Sequence, residues 1–218
     1  MRIALVQFDN RPFDQMGLLP FLLQRNKAYA GRHGYAYHFV RERPVDLPVY
    51  WLKPHLVAER LAAGFDAVVW LDTDAVVHDR DRRVEILLEG GEAMVAAGDN
   101  PFWPSPFNAG VFAARGEAGL ALLRRWSDLF AGTPWRREGD AWRCDEEWAG
   151  AAFEQGAFVA HLLDDARASG QIRLLDWKVL QGPFPTPDSF ALHFAGGFKC
   201  NLPAYLDLTA DWSSSPSA

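Results

Sequence analysis

The sequence contains few of the residues that mark several common protein classes. Its 218 residues include two cysteines, Cys144 and Cys200, too few for a disulfide framework, so we expect two reduced, inert thiols. No apolar run reaches the roughly 18 residues of a membrane-spanning helix, and Asp9 interrupts the apolar start too early for a signal peptide. We therefore expect a soluble, cytoplasmic protein without a transmembrane segment.

The chain also lacks an excess of positive charge and any internal repeat. Its formal net charge is −6 at pH 7, whereas a nucleic-acid-binding surface needs an excess of lysine and arginine. This balance suits a metal cation or a neutral substrate. A length of 218 residues without a break in composition is typical of one domain. We place that domain at residues 1–210 and interpret residues 211–218 as a disordered tail.

Strand-like and helix-like patterns alternate along the chain, which indicates an α/β fold with a mainly parallel sheet flanked by helices. Strands are predicted at residues 3–8, 35–40, 67–71, 93–98, 109–115 and 172–175, and helices at 18–33, from Pro54 onward, at 119–130 and at 145–168. The run at 67–71 is wholly apolar, as expected of a strand covered on both faces.

Two carboxylates, Asp72 and Asp74, follow this apolar strand directly. Residues two apart project to the same side, so both can present oxygens to one hard cation, Mg²⁺ or Mn²⁺. A cation in that position keeps open sites for phosphate oxygens and neutralises charge as a phosphate leaves. Alternatively, the two carboxylates only cap the turn after the strand.

A second group of polar residues begins at His193, after another apolar run. A neutral imidazole there can complete the ligand set of the metal, and Gly196, Gly197 and Lys199 can hold a diphosphate. The glycines allow close backbone approach, and the lysine supplies positive charge. Alternatively, His193 is a core residue with an ordinary hydrogen-bond partner.

Two enzyme classes place an Asp-x-Asp pattern at a strand end. Haloacid-dehalogenase-type phosphatases use it as nucleophile and acid, which would make Asp72 the nucleophile. Glycosyltransferases use it to hold a metal against a nucleotide-sugar. In the phosphatases the pattern follows the first strand, whereas here two predicted strands precede it. The later pair Asp164 and Asp165 falls in a helical pattern and is interpreted as a solvated helix face.

Four motifs follow one another along the chain: Asp-x-Asp, "FNAGVF" (107–112), an acidic helix start and His-x-x-Gly-x-x-Lys. In this order and spacing the chain resembles the retaining GT-A-fold glycosyltransferases of families 8 and 34. Segments 26–38 and 51–74 look especially like family 34, the galactosyl and xylosyl transferases. The resemblance covers about residues 3 to 200. It implies a GT-A (Rossmann-like) fold and transfer of a sugar from a nucleotide-sugar, a UDP-sugar, to an acceptor hydroxyl with retention of configuration.

The resemblance also implies roles for single residues. The metal, Mn²⁺ or Mg²⁺, would be held by Asp74 and His193, with Asp72 at the metal or the ribose. The donor would be bound by Gln7, Phe8 and Asp9 around the base, Lys53 near the sugar or its phosphates, Asn108, Ala109 and Gly110 along the sugar, and Gly196 and Lys199 at the β-phosphate. Alternatively, Lys53 is a solvated lysine at a helix start and Asn108 a turn residue.

The catalytic residues are expected at Asp145 and Glu146. The family has one or two Asp followed by Gln at a helix start that borders the anomeric carbon, whereas this chain has Glu where that Gln is expected. Alternatively, these acids only suit the positive end of a helix dipole. The expected partners are a nucleotide-sugar donor and a small-molecule or glycan acceptor, without nucleic acid. A non-catalytic nucleotide-sugar-binding module is the other alternative.

Overall fold

The computed structural model describes residues 1–210, so the predicted tail at 211–218 lies outside the described residues. Ten strands occur in this part of the chain. They are β1 (Ile3–Phe8), β2 (Ala36–Val40), β3 (Ala67–Leu71), β4 (Ala75–Val77), β5 (Met94–Ala97), β6 (Asn108–Arg115), β7 (Arg136–Glu138), β8 (Ala141–Arg143), β9 (Ile172–Leu175) and β10 (Ala191–His193). The predicted bounds of β1, β3 and β9 are confirmed, and those of β2, β5 and β6 differ by one residue at one or both ends.

Six of these strands form the central sheet, in the order β2-β1-β3-β6-β5-β9. Neighbouring strands are parallel except at β6, which runs antiparallel to both β3 and β5. Strands β4 and β10 form a separate antiparallel pair, as do β7 and β8. The predicted α/β class with a mainly parallel sheet is therefore confirmed.

Helices pack on both faces of the sheet. They are α1 (Leu19–His33), α2 (Leu52–Ala62), α3 (Gly116–Asp128), α4 (Glu154–His161), α5 (Leu163–Ala168), α6 (Trp177–Leu180) and α7 (Leu202–Leu208). Residues of α2, α3, α4 and α5 form one hydrophobic cluster with alternate residues of the sheet, and α1 contributes to the cluster on the opposite face. Within the described residues, no helix is both long and apolar enough to cross a membrane.

The helix predicted to begin at Asp145 begins instead at Glu154. Residues 144–153 form a loop, in which Gly150 N–H donates to the Glu147 carbonyl. The first turn of α4 packs tightly on this loop, because a Cβ at Gly156 would lie 2.1 Å from the Gly150 carbonyl oxygen. A helix running back to Asp145 is therefore wrong. The helix predicted from Pro54 starts at Leu52, and Pro54 falls in its first turn, where proline is tolerated.

The pairing of β4 with β10 brings two distant parts of the sequence together at the site. The turn after β3 carries Asp72 and Asp74 into β4, and Ala75 pairs with His193 at the end of β10. Phe194 N–H also donates to the Asp74 carbonyl at 2.9 Å. The Asp-x-Asp turn and His193 are thus held side by side by backbone hydrogen bonds.

Candidate functional site

A cleft of about 730 Å³ opens at the end of the central sheet. Its walls come from the ends of β1 and β3, the start of β6, the first turn of α4 and the segment after β10. In a mainly parallel α/β sheet, ligands bind where the strands end. The cleft holds both polar groups that the sequence singles out.

At one side of the cleft, Asp72, Asp74 and His193 form a group of potential metal ligands. One ligand atom of each lies within 4.8 Å of those of the other two. His193 Nε2 lies 3.3 Å from Asp74 Oδ1 and 3.9 Å from Asp72 Oδ2. The structure therefore brings together the three residues that the sequence suggests for a metal. Two carboxylates and an imidazole suit a divalent cation such as Mn²⁺.

In the neutral state of the ring, the hydrogen bond of His193 to Gln181 leaves Nε2, the atom that faces the two aspartates, free of hydrogen and able to bind a cation. Gln181 Nε2 donates to the Val111 carbonyl at 2.9 Å, so Gln181 Oε1 is the atom that lies 2.8 Å from His193 Nδ1. Because that oxygen can only accept, Nδ1 carries the hydrogen in the neutral ring. An amide or carboxylate behind a metal-binding histidine commonly fixes the tautomer in this way. Gln181 was not predicted from the sequence.

The charges of neighbouring side chains also shift the pKa values of this group. Burial alone would raise the pKa of the Asp74 carboxyl, but His193 and Lys199 lower it below its usual range. Asp74 is therefore ionised at neutral pH. Burial lowers the pKa of His193, whereas Asp74 and Asp72 raise it by a larger amount. Lys199 Nζ lies 2.5 Å from Asp74 Oδ2 and so balances the charge of this carboxylate.

Gly110 makes room for the histidine ring. A Cβ on Gly110 would lie 2.1 Å from His193 Cε1 and 2.5 Å from Nδ1, much closer than any real contact. The Gly110 carbonyl also accepts from Asp72 N–H at 2.7 Å. Gly110 lines the cleft, as predicted, and it also places two of the potential metal ligands.

The Asp72 carboxylate is held by a buried network. Trp70 Nε1 donates to its Oδ1 at 2.8 Å, and Lys53 Nζ lies 3.0 Å from its Oδ2. Lys53 Nζ also lies 3.0 Å from Oε1 of Glu154, a residue that the sequence analysis missed. Burial lowers the pKa of Lys53, but Asp72 and Glu154 raise it further, so the lysine is charged. The alternative of a solvated Lys53 is wrong, because its side chain is buried.

The predicted donor-binding residues fall into two groups. Those that line the cleft are Phe8, Asp9, Lys53, Asp72, Asn108, Gly110, Gly196 and Lys199. Gln7 and Ala109 are fully buried and do not line it. Gln7 Nε2 donates to the Asp72 carbonyl at 3.1 Å, and Ala109 N–H donates to Gln155 Oε1 at 3.0 Å. These two residues support the lining residues rather than face the cleft.

The structure does not bring Asp145 and Glu146 to the cleft. Both are exposed on the 144–153 loop, and Asp145 Oδ2 pairs with Arg136 Nη1 at 2.8 Å. The acidic residue followed by glutamine at a helix start is instead Glu154 and Gln155, and both line the cleft. The signal was therefore in the sequence as Glu-Gln, which begins nine residues after Asp145.

Two solved structures with a similar fold are glycosyltransferases. A glycosyltransferase involved in the glycosylation of the major capsid of PBCV-1 aligns over 96% of this chain and 100% of its own, with a TM-score of 0.68 and 16% identity. The glycosyltransferase GlyE of Streptococcus pneumoniae TIGR4 aligns over 98% of this chain and 62% of its own, with a TM-score of 0.61 and 13% identity. No family model and no curated protein matches the chain. At such identities the likeness shows the fold.

Proposed function

We propose that the chain is a metal-dependent glycosyltransferase that moves a sugar from a nucleotide-sugar, a UDP-sugar, to an acceptor hydroxyl with retention of configuration. The observation that carries the proposal is the group of Asp72, Asp74 and His193 in the main cleft of a fold shared with glycosyltransferases. Membership of family 34 or 8 stays a prediction from the sequence.

The metal ligands in this proposal are Asp72, Asp74 and Nε2 of His193, and the cation is Mn²⁺ or Mg²⁺. When bound, it would neutralise charge on the diphosphate as the donor sugar departs. Lys199 lies beside Asp74 and supplies a second positive charge for the diphosphate. Gly196, with a φ of 55° and no side chain, lets the backbone come close to a phosphate oxygen.

At the other end of the donor, Phe8 and Asp9 at the end of β1 are proposed to contact the nucleotide base. Asn108 and Gln155 line the same cleft and are proposed to border the donor sugar, with the Gln155 amide at the anomeric carbon. We assign this position to Gln155 in place of Asp145 and Glu146, which lie outside the cleft. The buried Glu154 holds Lys53 against Asp72 and so supports the same wall.

In the proposed reaction, the bond from the anomeric carbon to the diphosphate oxygen breaks and a bond to the acceptor oxygen forms. Retention requires both oxygens on one face of the sugar, so the departing phosphate oxygen can take the proton of the acceptor hydroxyl. The chain then needs no separate base at the acceptor. Fixed polar groups such as the Gln155 amide and Lys199 stabilise charge that develops in the transition state.

The phosphatase alternative has less support. The second acidic pair, Asp164 and Asp165, is exposed on α5 and does not line the cleft. The solved structures of similar fold are also glycosyltransferases.

Calorimetry of UDP binding with and without Mn²⁺ tests the metal site. We expect Mn²⁺ to strengthen UDP binding by the wild type, and His193→Ala and Asp74→Ala to weaken it at least tenfold, as is usual for a metal ligand or its support. Asp81→Ala is the matched control, because Asp81 is an exposed acid paired only with Arg32 among the contacts described. Unchanged Mn²⁺-dependent UDP affinity in both variants would contradict the metal assignment.

Turnover separates an enzyme from a binding module. Incubation with UDP-sugars and acceptors should release UDP from the wild type, and the anomeric proton of the product reports the stereochemistry by NMR. Tight UDP binding without any turnover would favour the non-catalytic module. A product of inverted configuration would contradict retention but not the transferase activity.

A further inference from the structure

We propose that the acceptor is an uncharged carbohydrate whose ring packs against Trp103 and Trp148 at the mouth of the cleft. The inference rests on the proposed function and names the acceptor class for the same site. Both tryptophans line the cleft, yet 63% and 67% of their surfaces are exposed. Exposed aromatic surface of this size at the edge of a cleft is typical of a binding site.

The first tryptophan is presented by a loop that is braced by its own hydrogen bonds. In the 99–107 loop, Asp99 N–H donates to the Ser105 carbonyl at 2.9 Å and closes the turn. The buried Asn100 accepts from Phe102 N–H at 3.0 Å, and its carbonyl accepts from Trp103 N–H at 3.0 Å. The backbone of Trp103 is therefore fixed by hydrogen bonds, while its indole is exposed.

The second tryptophan lies on a loop with different anchors. Trp51 and Trp135 both donate from Nε1 to the Ala152 carbonyl, at 3.1 and 2.7 Å, and so fix the base of the 144–153 loop. Next to Trp148, Ala149 has a φ of 62°, the one positive value outside glycine among residues 1–210. Strained backbone of this kind persists mainly at ligand sites. Two separately braced loops thus present tryptophan to one cleft.

The polar lining beside these rings suits hydroxyl groups. Asp99, Asn10 and Gln155 line the same cleft and offer carboxylate and amide groups as hydrogen-bond partners. Burial raises the pKa of Asp99, but it keeps an acceptor oxygen in either state. A sugar ring combines an apolar C–H face, which packs on an aromatic ring, with hydroxyls at its edge. A lipid chain would offer these polar groups no hydrogen bonds in place of those that they make with water.

The charge of the cleft favours an uncharged acceptor. Five carboxylate side chains and three cationic ones line it. Each cation already has a carboxylate partner: Arg11 pairs with Asp9, Lys199 with Asp74, and Lys53 with Asp72 and Glu154. The cation at the metal group and Lys199 are assigned to the donor diphosphate. An acidic acceptor would therefore meet an excess of negative charge.

Position separates this acceptor site from the donor site. His193 and Asp74 are largely buried, with side-chain exposures of 6% and 15%, whereas both tryptophans are at the solvent edge. The donor, tied to the metal group, occupies the inner part of the cleft. The acceptor enters from solvent afterwards and meets the exposed rings first.

A glycan array probed with protein loaded with Mn²⁺ and UDP tests the acceptor class. We expect binding to uncharged glycans and weaker binding to sialylated or sulfated ones. The best-bound uncharged glycan is then titrated by calorimetry into Trp103→Ala, Trp148→Ala and Trp148→Phe. Each alanine variant should lose about three- to tenfold in affinity, as expected for loss of one aromatic contact, and the phenylalanine variant should lose less.

Phe21→Ala is the matched control, because Phe21 is an exposed aromatic residue on α1 that does not line the cleft. Wild-type glycan affinity in both alanine variants would overturn the inference, as would binding restricted to charged glycans or absent throughout the array. UDP affinity, measured on the same samples, distinguishes failure of the acceptor inference from failure of the proposed function. Normal UDP binding without glycan binding refutes only the acceptor inference, whereas absent UDP binding in the wild type refutes the proposed function.

Discussion

Gly110→Ala tests whether the packing of His193 organises the metal group. The added Cβ would lie 2.1 Å from His193 Cε1 and 2.8 Å from its Nε2. Carbon atoms in contact are about 3.5–4.0 Å apart, so the ring must move by more than 1 Å or the backbone of β6 must shift. The backbone is held, because the Gly110 carbonyl accepts from Asp72 N–H and Asn108 Oδ1 accepts from Gly110 N–H.

The expected losses of stability and of Mn²⁺ affinity follow from the contacts that the displaced His193 ring no longer makes. A shift of this size breaks the 2.8 Å hydrogen bond between His193 Nδ1 and Gln181 and moves Nε2 away from Asp74. Overpacking a core costs about 1–3 kcal/mol, and an unpaired buried polar group costs about 1–3 kcal/mol more. We therefore expect the free energy of unfolding to fall by about 2–6 kcal/mol. Displacement of a ligand should weaken Mn²⁺ binding about 10- to 100-fold.

Electron paramagnetic resonance of free Mn²⁺ measures the affinity, and urea unfolding measures the stability. Gly119→Ala is the matched control, because its Cβ would lie 2.8 Å from the Ala93 carbonyl oxygen and Gly119, on α3, does not line the cleft. This control should lose stability while keeping Mn²⁺ affinity. Gly110→Ala with wild-type affinity and stability would refute the packing argument, and lost stability with normal affinity would show that the ring position does not matter for the metal.

Three further predictions concern other residues of the cleft. Gln181→Met should weaken Mn²⁺ binding about 10- to 100-fold, and ¹⁵N NMR should show the His193 tautomer becoming mixed; Gln181→Glu, which keeps an acceptor oxygen, should lose less. Lys199→Ala should weaken UDP binding about 10- to 100-fold by calorimetry without changing uridine binding, and equal loss for uridine would indicate a folding role. Burial raises the pKa of Asp9 but Arg11 lowers it further, so its stabilising effect exists above the unfolded pKa of about 3.9 and is lost as pH falls through the lower folded value. Arg11→Ala should therefore cost stability at pH 7, with a difference from wild type that shrinks below about pH 4, and a constant difference across this range would contradict the ion pair.

The buried strands were predictable because their sequence pattern is local. Ala67–Leu71 is continuously apolar, and all of its residues are buried because both faces of the sheet are covered. Asp72 and Asp74 end that run, so their position at the sheet edge followed from the sequence alone. His193 was found in the same way, at the end of an apolar strand. The sequence therefore predicted the three potential metal ligands, each from its own neighbours.

The support of those ligands could not be predicted, because it depends on contacts between distant residues. Nothing near Gln181 in the sequence shows that its amide meets His193, and the antiparallel course of β6 places the Val111 carbonyl that orients this amide. The burial of Lys53 depends likewise on Glu154, which lies about a hundred residues away in sequence. A contact between residues so far apart in sequence leaves no pattern in the residues that flank either partner.

The error at Asp145 has a different cause, a competition between two local signals. Three consecutive acids fit the positive end of a helix dipole, and this favoured a helix start at 145. In the structure Asp145 pairs with Arg136 on the β7–β8 hairpin, so its charge is balanced without a helix. The helix instead begins at Glu154, a single acidic residue. Its carboxylate pairs with the buried Lys53 at the first residue of α4. Acidic residues that line a cleft are therefore better sought at an acid with a buried cationic partner than at the most acidic run, which solvent accommodates at little cost.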